Sequence, residues 1–142
     1  MEEKLKIGML LRMLYISVKV RCDKDMKDIE LTSSQSEVLG YLLFSQGREV
    51  NQKDIEQELR LMNPTVTGIL NRLEKKGFIT RIKSNTDGRY KRVELTAKGR
   101  EISEAMMMRA MEMENRLLVG LSQAEIDSFG NTIRKLIENI SK

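Results

Sequence analysis

Residues 85–96, NTDGRYKRVELT, join an Asp-Gly turn signal to Arg89, Lys91 and Arg92 and then to the strand-like Val93-Glu94-Leu95. Guanidinium and ammonium groups gathered at a hairpin tip are suited to binding phosphate oxygens. The pattern extends in both directions. Residues 72–100 hold ten Lys/Arg against Glu74, Asp87 and Glu94, a net of +7 in a chain whose total is only +4. Charge concentrated in this way points to a polyanion, most simply nucleic acid, with a merely solvated basic surface as the alternative. Catalytic chemistry finds no comparable support. There is no histidine, no phosphate-cradling glycine loop and a single cysteine, so neither a histidine general base nor zinc-ligand spacing is available, and no catalytic residue, metal or cofactor is expected. One cysteine also permits no internal disulfide, which fits a reducing cytoplasm. The apolar run IGMLLRMLYISVKV is too short and too charged to span a bilayer and lacks a signal-peptide cleavage site.

The elements that must hold these charges can be read from periodicity and end signals. The length of 142 residues fits one compact unit. Residues 2 to about 26 predict a long helix, with Ile7, Leu10, Leu11, Leu14 and Val18 at helical spacing and Met9, Met13, Ile16 and Val20 widening the apolar surface. A helix apolar on more than one side needs two partners, the second of which is naturally another subunit. Thr32-Ser33-Ser34-Gln35 predicts a capping box opening a helix through Val38, Leu39, Leu42 and Leu43. After a short extended piece at Arg48-Glu49-Val50, Asn51 is placed to cap a helix carrying Ile55 and Leu59. Asn63 is the expected N-cap of the next helix, with Pro64 at its first position, Val66, Ile69, Leu70 and Leu73 as its apolar face, and Gly77 as its stop in a Schellman cap pairing Leu73 with Phe78. FITRIKS and RYKRVEL predict two strands around the NTDG turn. Thr96 then caps a methionine-rich helix running toward Gly120, and Ser122-Gln123-Ala124-Glu125 opens a last helix with Ile126, Phe129, Ile133, Leu136, Ile137 and Ile140 at pairing positions.

Two short helices joined by RLMN, with a basic hairpin directly after them, form a winged helix-turn-helix signature. The segments NPTVTGILNRLEKKGFITR and DGRYKRVELTAKG resemble the multiple-antibiotic-resistance regulator (MarR) family of bacterial transcription factors, in the spacing Asp87-x-Arg89, Leu95-Thr96 and Gly99. The resemblance covers nearly the whole chain. It implies a mainly α fold with a small β-hairpin wing, a DNA-binding lobe over 32–96, and long terminal helices over 1–31 and 97–142 forming a dimerisation region. It further implies a cytoplasmic homodimer acting on double-stranded DNA as a repressor at a pseudo-palindromic operator, with affinity responding to a small ligand or oxidant. Two positions depart from the family pattern: the inter-helix turn often has glycine where Arg60 stands, and the recognition helix often has a long polar side chain where Gly68 stands.

On a helical wheel Pro64, Gly68, Asn71, Arg72 and Lys75 lie opposite the apolar face, with Thr65 and Thr67 on its flanks. With Asn63 at the helix start, these are the expected major-groove contacts. Asn71 suits adenine's N6 and N7, the threonines suit a base edge, a phosphate or a thymine methyl, and Gly68 allows close backbone approach. Arg72 and Lys75 suit phosphates, and Thr32, Ser33, Ser34 and Gln35 offer a phosphate the N-terminus of their helix, simple capping being the alternative. Arg89 is the expected minor-groove probe, with Lys91 and Arg92 near the DNA backbone. By resemblance, Asp87 pairs with a nearby arginine and holds the wing in shape. Cys22 reads as inert, although Lys19, Arg21 and Lys24 are close enough in sequence to lower its pKa. The methionines over 106–113 read as core or as the lining of an adaptable ligand pocket. The competing functional readings are a winged-helix protein-interaction module and a non-specific DNA binder.

Overall fold

The computed structural model describes residues 2–25, 27–29 and 31–142; the expected end of the first helix near Met26 lies outside them. The elements are α1 (Glu2–Asp25), α2 (Ser33–Phe44), α3 (Gln52–Leu59), α4 (Asn63–Lys75), β1 (Ile79–Lys83), β2 (Lys91–Leu95), α5 (Ala97–Leu117) and α6 (Gln123–Ile140). The chain divides into two compact units, residues 1–109 and 110–142, with the boundary inside α5.

In the first unit the core is aliphatic, as a chain without tryptophan requires. Val38, Leu39 and Leu42 of α2 meet Ile55 of α3, the four apolar residues of α4, Ile79 and Val93 of the hairpin, and Met106 of α5. Val66, Ile69, Leu70 and Leu73 are the four buried residues of α4, as the wheel requires. Removing such a side chain, for example by Leu70→Ala, costs about 2–5 kcal/mol.

Local chemistry sets most of the ends. Thr32 and Gln35 form a reciprocal capping box on α2, and Asn51 and Asp54 form another on α3. Helix α4 stops in a Schellman motif: the Phe78 N–H donates to the Leu73 carbonyl and the Gly77 N–H to the Glu74 carbonyl, both at 3.0 Å, with Gly77 at φ +81°. Thr96 Oγ1 accepts from the Gly99 N–H at the start of α5, and Ser122 Oγ accepts from the Glu125 N–H at the start of α6.

The start of α4 differs from expectation. Met62 is the N-cap, without a side-chain bond, and Asn63 is already helical, which moves Pro64 one place in. The Asn63 amide Nδ2 instead donates to Glu56 Oε2 on α3 at 3.1 Å. That bond commits the amide nitrogen to a charged acceptor on the neighbouring helix, and a proline in the first turn still leaves no donor missing that the helix would use.

The hairpin is antiparallel, in register from Ile79↔Leu95 to Lys83↔Lys91. It is shorter than the sequence implied: residues 84–90 form the tip, so Arg89 is a tip residue rather than a strand residue. A third extended segment joins it, because Asn51 bridges to Arg92 and the Val93 N–H donates to the Val50 carbonyl at 2.7 Å.

Candidate nucleic-acid interface

The helix-turn-helix turn is set by Arg60, which takes the left-handed conformation (φ 53°, ψ 44°), while the Leu61 N–H donates to the Glu56 carbonyl. This is the residue standing where the family pattern often has glycine. Gln52 of α3 fixes the second helix by donating to Thr67 Oγ1 at 2.8 Å. Thr67 is therefore half-buried and its hydroxyl engaged, whereas Pro64, Thr65, Asn71, Arg72 and Lys75 are exposed along one face of α4. Gly68 lies on that face with nothing within 4 Å of where a side chain would start.

The wing joins this helix through Arg81, to which the sequence pointed only as one more basic residue. Its guanidinium donates from Nε to Glu74 Oε2 at 3.2 Å, and from Nη2 to Glu74 Oε1 at 3.0 Å and Asn71 Oδ1 at 2.7 Å. Hydrogen bonding by Arg81 holds the Glu74 carboxyl below its ordinary pKa. At the tip, Asp87 Oδ1 accepts from the Arg89 backbone N–H and from Nε, both at 3.1 Å, and Oδ2 lies 2.8 Å from Nη2. The acid expected to brace the wing and the arginine expected to probe the minor groove are thus partners. Hydrogen bonding between them lowers the pKa of Asp87 and raises that of Arg89. The Arg89 side chain nevertheless remains 82% exposed, and its guanidinium stands 5.7 Å from the centre of the Tyr90 ring.

Glu49, in the extended piece before α3, clamps the tip from outside. Its carboxylate accepts from the Asn85 N–H at 3.1 Å and from Thr86 Oγ1 at 2.7 Å, and hydrogen bonds from Ser84 and Thr86 lower its pKa. No sequence signal links residues this far apart. Lys91 is exposed and directly opposite Lys83, a like-charged pair that a phosphate between them would relieve. Arg92 is half-buried, with Nε 3.1 Å from Glu94 Oε1, so it presents less charge than its sequence position implied.

The expected phosphate cradle at α2 is only partly open. Thr32 and Ser33 are exposed and Ser34 half-buried, but Gln35 is buried, its Oε1 accepting from the Thr32 N–H and from Lys76 Nζ. Its amide oxygen is thus committed to the capping box and to α4. Among the described residues, no cluster of acidic or sulfur side chains could hold a metal ion, and no helix is long and apolar enough to cross a membrane.

A buried-faced helix held across a turn from its neighbour, followed by a basic hairpin bonded back to that helix, defines a winged helix-turn-helix protein. The model of the MarR family matches residues 31–91. Among solved structures, MepR of Staphylococcus aureus in its complex with DNA is 31% identical, with 94% of this chain and 97% of that chain covered and a TM-score of 0.82. MepR described as a transcription regulator of the Staphylococcus aureus multidrug efflux pump MepA is 30% identical over 94% of this chain and 97% of that one, with a TM-score of 0.77. YwoH of Bacillus subtilis (strain 168), an uncharacterized HTH-type transcriptional regulator, is 29% identical over 118 residues, covering 83% of this chain and 84% of that protein. The chain belongs to the MarR family, and these relatives are transcription regulators rather than enzymes.

Proposed function

We propose that the protein is a sequence-specific DNA-binding transcriptional repressor, a cytoplasmic homodimer that reads a pseudo-palindromic operator and is released by a small ligand. The observation that carries the reading is that two elements with exposed polar and basic residues, α4 with Pro64, Thr65, Asn71, Arg72 and Lys75 and the wing with Arg89 and Lys91, are tied together by the bonds of Arg81 to Asn71 and Glu74. Helix α4 enters the major groove with Asn63, Thr65, Thr67, Gly68 and Asn71 toward the bases, while Arg72 and Lys75 take phosphates. Arg89 reaches the minor groove, where a narrow A·T-rich stretch concentrates negative potential. Lys91 and Arg92 flank the DNA backbone, and Thr32, Ser33 and Ser34 offer a further phosphate contact. The residues over 1–31 and 97–142 supply the dimer contacts, which set the two recognition helices about 34 Å apart for half-sites one turn apart. The likeness to MepR in its DNA complex supports this reading.

The test is selection from random duplexes at two salt concentrations. An enriched inverted repeat whose affinity falls steeply with salt is the expected result. Salt-sensitive binding without an enriched motif would make the protein a non-specific DNA binder instead.

A further inference from the structure

Arg81 sits between the wing and the recognition helix, with a side chain only 23% exposed in the Glu74 ion pair. It touches one residue that the DNA reading puts against the bases. Arginine carries five donors and no acceptor, so an amide that meets it must turn its oxygen inward. That is the arrangement at Asn71, whose Oδ1 accepts from Arg81 Nη2 at 2.7 Å. The Asn71 Nδ2 group has no hydrogen-bond partner among the described residues, and Asn71 is exposed on the outward face of α4. An asparagine that pairs with adenine needs both ends of its amide, the oxygen for N6 and the nitrogen for N7. Here one of the two lone pairs of Oδ1 is engaged by Arg81, and the amide nitrogen is the end left without a partner.

We propose that Arg81 is a positioning residue for base recognition, drawing the Asn71 oxygen toward the wing so that its amide nitrogen reads the base and selects guanine over adenine. Guanine presents two acceptors in the major groove, O6 and N7, to the two hydrogens of Nδ2. Adenine places its N6 donor against them. The inference rests on the DNA-binding reading and replaces the adenine contact that Asn71 suggested in the sequence. Glu74 completes the device: by taking the Nε and one Nη2 hydrogen of the guanidinium, it prevents Arg81 from swinging out to a phosphate.

Wild type, Asn71→Asp and Arg81→Lys are assayed on an operator selected from random duplexes, with each base pair of one half-site varied in turn and each variant's fold checked by its melting temperature. Wild type should favour guanine over adenine at one pair by about five-fold or more. Asn71→Asp keeps an acceptor for Arg81 but has no donor, and its preference at that pair should move to cytosine, whose N4 donates. Arg81→Lys keeps the charge but offers a single ammonium to two partners. It should relax the guanine preference at the same pair while the salt dependence and the other positions stay as in wild type. An adenine preference in wild type overturns the inference, as does an Arg81→Lys variant that weakens all sequences alike. Wild type that binds duplexes but shows no pair sensitive to Asn71 overturns this inference alone. A wild type that binds no duplex overturns the DNA reading and this inference with it.

Discussion

Arg60 and Gly68 are the two positions where the chain departs from the pattern it otherwise resembles, and the structure gives each a measurable consequence. Arg60 is the only non-glycine residue at positive φ among the described residues. A side chain there costs about 1–2 kcal/mol relative to an unstrained backbone, part of which glycine returns as unfolded-chain entropy. Arg60→Gly is therefore expected to stabilise the protein by about 0.5–1 kcal/mol in urea denaturation; a destabilised variant would mean that the arginine side chain makes a compensating interaction. Gly68 presents the opposite case. It is helical, and a side chain added there meets nothing within 4 Å, so Gly68→Ala should stabilise by about 0.5–1 kcal/mol. If the α4 backbone seats in a groove at Gly68, the same methyl should weaken operator binding several-fold. Opposite signs in the two assays would locate the reason for glycine in the complex rather than in the fold, and equal or improved binding would remove Gly68 from the interface. Sequence alone placed both residues on their elements. It did not foresee that Asn71, Thr67 and Gln35 would spend side-chain atoms on neighbours, because those partners (Arg81, Gln52 and Lys76) come from other elements whose packing has no sequence signature.

At the scale of elements, legibility followed the range of the interaction. The capping box of α2, the Asn51 cap of α3, the Schellman end of α4 and its buried face depend on residues within a few positions of one another, and all were readable. The wing was readable as a hairpin, with Asp87 by resemblance its internal tie, but the Glu49 contact was not, because Glu49 reaches the tip from before α3. Two predictions belong here. The joint between the hairpin and α5 is a close approach: a methyl on Gly99 would overlap the Phe78 carbonyl, which itself accepts from the Thr96 N–H. Gly99→Ala should lower stability by about 1–3 kcal/mol, measured by thermal or urea unfolding; a neutral result would show that the joint can yield. The wing tip should also depend on pH with a definite sign. Asp87 and Glu49 have folded pKa values below their ordinary ones, through hydrogen bonds from Arg89 and from Ser84 and Thr86 respectively. Their contribution is thus complete above the unfolded values, near pH 4, and is lost as pH falls through the lowered folded values. Amide exchange at Asn85 and Arg89, followed by NMR, should show constant protection factors from pH 5 to 8 and loss of protection below about pH 4. Loss already at pH 6 would mean that these carboxylates do not hold the tip.

The whole molecule poses a problem that neither unit solves alone. Helix α1 exposes Ile7, Met9, Leu10, Met13 and Val20, and α6, which has no buried residue, exposes Phe129, Leu136, Ile137 and Ile140. Apolar rows of this extent are not left to water in a stable soluble monomer, because each fully exposed aliphatic side chain forgoes about 1.5–3 kcal/mol of burial. The first helix read from sequence as apolar on more than one side, and it retains that character in the structure, so a second copy of the chain is the natural cover. A double substitution, Phe129→Asp with Ile137→Asp, puts two charges into the α6 row without touching the core of residues 1–109. Sedimentation should find wild type dimeric at micromolar concentration and the variant monomeric. Because two linked half-sites bind far more tightly than one, operator affinity should fall by about 100-fold or more. The core's cooperative unfolding should persist in the monomer, although at lower temperature. A variant that remains dimeric would place the contact elsewhere, with α1 the next surface to test. A monomer with undiminished affinity would mean that one winged helix suffices, and the pseudo-palindromic operator would fall with the dimer.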